Sequence, residues 1–348
     1  MPRVLSMLPR VISRAVIPRM KSIRSPIISI MDHEQNGRCS SSRDHGRRHF
    51  SKSSSANSTP TQAATTAASY YNEPMNVRYH HQVWGDQVHL GRYDLFNEED
   101  AKLEGLAVLN RAAALTNEMM MNKLFPDARD VNNETTVMEM GAGYGEFARA
   151  LVKKHGCKVV CIEMCSEHNA ISATRTAQEG LQDKITIPGE RSYFETGMPS
   201  ASMDRVVGTD CYLHANGDTD AAMKEAARVL KHGSLMVFSD LMQADKGDIT
   251  SMEKVYHNVG VGKFCSPGKF EKSGKEHGME LVDYENHHPN ICTHYEKLLN
   301  MIASLRGNIN DVDESLLDAR EARCLAFAEA AERGALIWGS FVFRKDVE

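Results

Sequence analysis

The segment Thr136-Val137-Met138-Glu139-Met140-Gly141-Ala142-Gly143-Tyr144-Gly145 constrains this chain more than any other. An apolar run of strand type ends in three glycines within five residues, and Phe147, Leu151 and Val152 then recur at helical spacing. That pattern reads as a strand, a tight turn and the start of a helix. Glycines let the backbone turn sharply and let a ligand lie against bare peptide. The first turn of a helix adds unpaired N–H groups.

After this turn the chain alternates. Strands are expected at 136–140, 158–164, 185–187, 204–208 and 234–239, with helices at 145–154, 167–180 and 219–230. Repeated strand–helix units imply a mostly parallel sheet with helices on both faces. The rhythm then changes. Residues 250–277 read as helical or irregular, 281–286 as a strand, 294–305 and 311–333 as helices, and 335–344 as a final strand. Before the sheet, 98–124 reads as one long helix, and 70–93 is dense in aromatic residues and histidines, as a lid or packing wedge would be.

Two acids narrow the ligand. A dinucleotide turn prefers two residues before its last glycine, and a triphosphate loop needs Gly-Lys-Ser/Thr; Gly141-Ala142-Gly143-Tyr144-Gly145 offers neither. Glu139, two residues before Gly141, can reach an ammonium. Glu163, at the end of the second strand and beside Met164, lies where a carboxylate accepts both ribose hydroxyls. An amino-acid head with an adenosine tail is S-adenosylmethionine. Glu190, Arg191 and Ser192, after the third strand, are placed to meet the adenine edge, and Asp210 follows the fourth strand.

Composition closes off other classes. Of 41 basic and 46 acidic residues, eleven and three lie in residues 1–68, leaving 30 and 43 for the remainder. An acidic folded part argues against nucleic acid as a ligand. No apolar run approaches the roughly 18 residues of a membrane helix. Cys157, Cys161 and Cys165 straddle a strand rather than a helix, which disfavours a metal site and favours buried thiols. Residues 1–68 are rich in Arg, Ser and Thr, with no acid before Asp32. Such a start has the pattern of an organelle transit peptide, mitochondrion ahead of plastid, or of a basic tail that leaves the protein in the cytoplasm. The folded domain is accordingly set at 69–348.

Val137 to Gly145 resembles motif I of class I methyltransferases. The likeness extends over most of 70–346 to the sarcosine/dimethylglycine N-methyltransferases. It is carried by Tyr70-Tyr71-Asn72, Trp84-Gly85, Val88 to Gly91, Asp210, Leu213-His214, Ser239 to Asp245, His294-Tyr295 and Trp338-Gly339. A looser similarity runs to phosphoethanolamine and cyclopropane-fatty-acid methyltransferases, in which an early Tyr, here Tyr71, lies over the cofactor. The resemblance implies a Rossmann-like fold with a seven-stranded sheet, an aromatic N-terminal lid and a helical insertion before the last strand.

The implied activity is methyl transfer to a small carboxylate-bearing osmolyte precursor. Two acceptors stay open: sarcosine or dimethylglycine, on the route to glycine betaine, and 4-methylthio-2-hydroxybutyrate, on the route to dimethylsulfoniopropionate. A phospholipid-type methyltransferase and a non-catalytic cofactor-binding protein are the alternatives. An onium product suits aromatic faces, offered by Tyr79, Trp84, Tyr93, Tyr212 and Trp338, with Met242 in the segment that carries the resemblance. An amine acceptor needs a proton acceptor, for which His89 and His214 are candidates with Tyr212 nearby; a thioether needs none. A cation should face the carboxylate, and Arg78, Lys297 and Arg306 are the candidates. The acceptor is expected to be chosen within 250–306. Oligomeric state stays open.

Overall fold

The computed structural model describes residues 67–307 and 313–346; the expected leader lies outside these apart from its last two residues. The glycine-turn strand β1 (Thr136–Met140) starts the sheet, and Val137, Met138 and Met140 are wholly buried. Apolar side chains buried on both faces are the signature of a parallel strand covered by helices. Helix α3 (Glu146–His155) follows, ending at Gly156 in the left-handed conformation with Lys153, Lys154 and His155 in its last turn. That end joins a glycine C-cap to favourable charge at the helix terminus.

The remaining strands are β2 (Lys158–Ile162), β3 (Ile185–Thr186), β4 (Met203–Thr209), β5 (Leu230–Gln243), β6 (Met279–Asn286) and β7 (Leu336–Lys345). The sheet order is β3-β2-β1-β4-β5-β7-β6, with β7 antiparallel to both neighbours. Strand order reverses between β1 and β4, and open α/β sheets place ligands at such a switch point, beyond the carboxyl ends of the strands. Helices α4 (Ser166–Gln178), α5 (Asp220–Val229) and α7 (Pro267–Glu276) complete the cover, with α6 (Met252–Val259) before α7. On one face Phe238, Phe270, Phe341 and Phe343 form a buried aromatic cluster, Phe238 and Phe341 stacked at 4.8 Å.

A second layer covers the carboxyl ends of the strands. Helix α1 (Pro74–Val83), capped by Glu73 with Pro74 at its first turn, forms the N-terminal part of this layer. Helices α8 (Pro289–Leu305) and α9 (Glu314–Glu332) pack on each other beside it. The segment expected as a lid is therefore largely a helix. The long helix expected from residue 98 begins only at Leu106, as α2 (Leu106–Leu124). Gly105, with φ +56°, and short 3-10 turns at Tyr93–Leu95 and Asp100–Lys102 break the regular helix before it. Strand β5 is longer than expected at both ends: β7 pairs with it out to Gln243, and Leu230 at its start pairs with Met203 of β4.

Candidate active site

The glycine turn is built to be bare. A Cβ on Gly141, whose φ is +70°, would lie 2.5 Å from the Cβ of Cys211, so no other residue fits without displacing the loop after β4. A Cβ on Gly143, at φ +51°, would meet nothing within 4 Å: this position opens onto free space. The Gly143 N–H donates to Glu163 Oε2 at 2.9 Å and the Cys165 N–H to Oε1 at 2.8 Å. The acid that ends β2 thus fixes the turn that ends β1. Burial raises the Glu163 pKa, but His168 and these N–H groups outweigh it and hold the carboxyl below its ordinary range.

A cavity of about 130 Å³ lies over this turn. Glu139, Gly141, Ala142 and Gly143 form its floor, Glu163 and Met164 one side, and Arg191 its far edge. Tyr71, His89, Asp210 and His214 close it from the lid and from the β4 loop. Glu139 is buried, and among the described side chains only the Cys161 thiol reaches it, at 4.0 Å. Burial pushes its pKa up to about 8, against the opposing field of Arg149. An isolated buried carboxylate is unfavourable unless a cation pairs with it. An ammonium in the cavity would supply that cation, so the residues present fit an amino-acid head at Glu139 and a sugar at Glu163.

Several expected residues stand elsewhere. Glu190 is exposed and pairs only through its backbone with Glu163. Ser192 turns its hydroxyl to the Phe194 N–H. Neither lines the cavity. Tyr212 is wholly buried with its hydroxyl on Met140 Sδ at 3.1 Å and its ring edge-on to Phe238, so it belongs to the core rather than to the reacting atoms. Met242 is likewise core, because its side chain leaves the sheet on the aromatic-cluster side. Trp338 is buried behind the site and donates its indole N–H to Asp210 Oδ1 at 2.9 Å. It orients Asp210 without facing either cavity. Tyr93 is hydrogen-bonded through its hydroxyl to His294 Nδ1 at 2.9 Å and lines neither cavity. Cys157, Cys161 and Cys165 are free thiols, and no metal-holding group of side chains occurs among the described residues.

A second, smaller chamber of about 40 Å³ adjoins the first and shares Tyr71, Val88, His89, Asp210 and His214 with it. Tyr79 and Trp84 line it, as expected, together with Tyr70, Tyr295 and Phe327. His89 is engaged at both ring nitrogens, by the Leu90 carbonyl at 3.0 Å and Gln87 Oε1 at 2.8 Å. His214 Nε2 meets the Tyr71 hydroxyl at 3.3 Å; burial and the field of Arg323 lower its pKa to about 4, so the ring is neutral at pH 7. Of residues 250–306 only Tyr295 lines the chamber. Arg306 is instead held by Glu314, Asp318 and Glu321, and neither Lys297 nor Arg78 reaches the chamber. The cations that do are Arg320 and Arg323 on α9. Arg320, Arg323, Cys324 and Phe327 recur at helical spacing, but only packing shows that this stripe faces inward.

A methyltransferase domain model matches residues 137–233, the span from the glycine turn to the start of β5. The chain is a class I S-adenosylmethionine-dependent methyltransferase. It is similar to a sarcosine/dimethylglycine N-methyltransferase of Halorhodospira halochloris, 25% identical over 82% of this chain and 97% of that one. It is also 26% identical, over 80% of this chain, to a glycine/sarcosine/dimethylglycine N-methyltransferase of Actinopolyspora halophila, of whose length the matched part is 46%. A Galdieria sulphuraria crystal structure described as a sarcosine dimethylglycine methyltransferase superposes with a TM-score of 0.70, at 25% identity and over 77% of this chain and 97% of that one. S-adenosylmethionine is the methyl donor of this methyltransferase, and the cleft over Gly143 has the carboxylates that suit its two ends.

Proposed function

We propose that this methyltransferase transfers its methyl group to the nitrogen of a small N-methylated amino acid, sarcosine or dimethylglycine. The observation that carries this reading is the junction of the donor cleft with a small aromatic chamber through Tyr71, Val88, His89, Asp210 and His214. Bound over Gly143, the cofactor supplies an electrophilic methyl group on a sulfonium. The chain's own contribution is to hold the acceptor in line with that group and to keep water away, and positioning of this kind accounts for much of a displacement rate. Tyr70, Tyr79, Trp84 and Tyr295 line the chamber with aromatic rings, a surrounding that tolerates a cationic product. His214, neutral at pH 7 and hydrogen-bonded to Tyr71, is the group best placed to take a proton from an amine. The names of the relatives, sarcosine and dimethylglycine N-methyltransferases, support the same acceptors.

A second reading is favoured by one feature. Both ring nitrogens of His89 are engaged, and His214, with its pKa near 4, is a weak base. A thioether such as 4-methylthio-2-hydroxybutyrate has no proton to lose, and this chamber suits it equally on that ground. The test incubates purified protein and S-adenosylmethionine with glycine, sarcosine, dimethylglycine and methylthiohydroxybutyrate, and identifies products by mass. Methylated sarcosine or dimethylglycine is the expected result. Turnover of the thioether alone would replace the first reading by the second, and turnover of none would sink both.

A further inference from the structure

We infer that Arg320 and Arg323 form the site for the acceptor's carboxylate. This rests on the small-acceptor reading above and assigns the residues that would select the acceptor by charge. The two side chains lie three residues apart on α9 and both line the second chamber. Arg323 has no acid within ion-pair distance among the described residues; its guanidinium lies 5.7 Å from the Tyr70 ring and 5.5 Å from that of Phe327. Arg320 donates from one terminal nitrogen to Asn76 Oδ1 on the lid helix and stacks over Tyr70 at 4.8 Å, while its buried Nε has no partner.

Three other arginines of this protein are neutralised by acids. Arg149 is held by Glu146 and Glu179, Arg228 by Glu225, and Arg306 by three acids. Among the described residues, the one acid that lines the second chamber, Asp210, is already occupied. Its Oδ1 accepts from the Trp338 indole and the Ser239 hydroxyl, and its Oδ2 accepts from the Leu90 N–H. Two like charges in a half-buried chamber repel, and a carboxylate entering between them would relieve that repulsion and satisfy the Arg320 Nε. Guanidinium groups match carboxylate geometry with paired donors. The field of Arg323 reaches His214, Tyr71 and Tyr295, so the cation sits within the chamber's working surface. Cys324 and Phe327, one and four residues after Arg323, wall the same chamber and favour a short acceptor chain.

The test compares dimethylglycine with dimethylethanolamine, which carries the same amine and a hydroxyl in place of the carboxylate. Both are assayed with wild type, Arg323→Ala, Arg323→Lys and Arg320→Ala. Wild type should prefer dimethylglycine, and Arg323→Ala should raise its KM for dimethylglycine roughly 10- to 100-fold, the effect of losing a charge-assisted pair. Its use of dimethylethanolamine and its affinity for S-adenosylmethionine should move little. Arg323→Lys should restore part of the preference, and Arg320→Ala should lower it less, since Arg320 also serves Asn76. An arginine with a packing role only would leave the ratio between the two amines unchanged, and that result overturns the inference, as does a wild type that treats the amines alike. Calorimetry on protein loaded with S-adenosylhomocysteine decides the matter independently of turnover. If no amine is methylated, the amine reading fails, yet dimethylglycine or methylthiohydroxybutyrate binding that is lost in Arg323→Ala still supports the carboxylate site. Binding of no carboxylate to wild type overturns it.

Discussion

The donor cleft and the proposed acceptor chamber share a wall but are built in opposite ways. The cleft is made by strand ends and one continuous turn: Glu139, Gly141 and Gly143 stand within five residues, and Glu163 is tied to Gly143 by a single hydrogen bond. The chamber draws its wall from the lid at 70–90, the β4 loop at 210–214, Tyr295 on α8 and Arg320 to Phe327 on α9. The first depends on backbone geometry and two carboxylates, the second on rings and two cations. A methyl donor is common to a whole class of enzymes, whereas an acceptor is particular, and the two halves divide along that line.

The contrast is sharpened by changes confined to one half. The largest effect is expected from Gly141→Ala. Its Cβ would press on Cys211 at 2.5 Å in a left-handed backbone, so a loss of about 2–4 kcal/mol of stability follows from strain and clash combined. Thermal unfolding monitored by circular dichroism should show a clear drop in Tm; an unchanged Tm would mean that the turn is not fixed as described. Next comes Glu163→Ala, which frees the Gly143 and Cys165 N–H groups and removes the carboxylate that suits a ribose. Donor affinity should fall roughly 10- to 100-fold, read by calorimetry, with the KM for the acceptor at saturating donor little changed.

Acidity gives the third test. The Glu139 pKa is raised by burial to about 8 in the free protein, well above its ordinary value of about 4.3. Its buried neutral form stabilises the free protein at low pH, and this contribution is lost as the pH rises through about 8. In the proposed pairing the donor's ammonium meets the ionised form, so binding below pH 8 must release a proton. Donor affinity should therefore climb by up to about tenfold per pH unit between pH 6 and 8 and then level. Titrations in buffers of different ionisation enthalpy would reveal the released proton, and Glu139→Gln should flatten the profile. A flat profile in wild type would remove the ammonium from Glu139. The smallest effect belongs to the shared wall. Tyr71→Phe removes one neutral hydrogen bond to His214 and should reduce kcat about fivefold, with donor affinity preserved.

The same division explains what the sequence could reveal. The donor cleft was legible because its chemistry is local. Strand β1 was delimited at both ends by its apolar run and the glycines, and the spacing from Gly141 placed Glu163 at the end of β2. Even there, proximity in sequence misled at Glu190, Ser192 and Tyr212. The first two sit on a turn that carries Arg191 to the cavity but points them away, and the third leaves the β4 loop toward the core. The acceptor chamber was legible only in its lid. Tyr79 and Trp84 stood out as rings in a short segment, whereas Arg320 and Arg323 lay in an ordinary charged helix whose inward face depends on packing against α8. The helix start at Leu106 was missed for a simpler reason: apolar Leu103 continues the periodic pattern, but Gly105 takes a backbone that no helix contains.

In this proposal donor and acceptor recognition are separate and meet at Tyr71, Val88, His89, Asp210 and His214. The measurement that tests it most directly is a two-substrate kinetic matrix, varying S-adenosylmethionine against dimethylglycine for wild type, Glu163→Ala and Arg323→Ala. Glu163→Ala should weaken the donor constant alone and Arg323→Ala the acceptor constant alone. Parallel loss of both constants in both variants would contradict it, because the two cavities would then form a single undivided site.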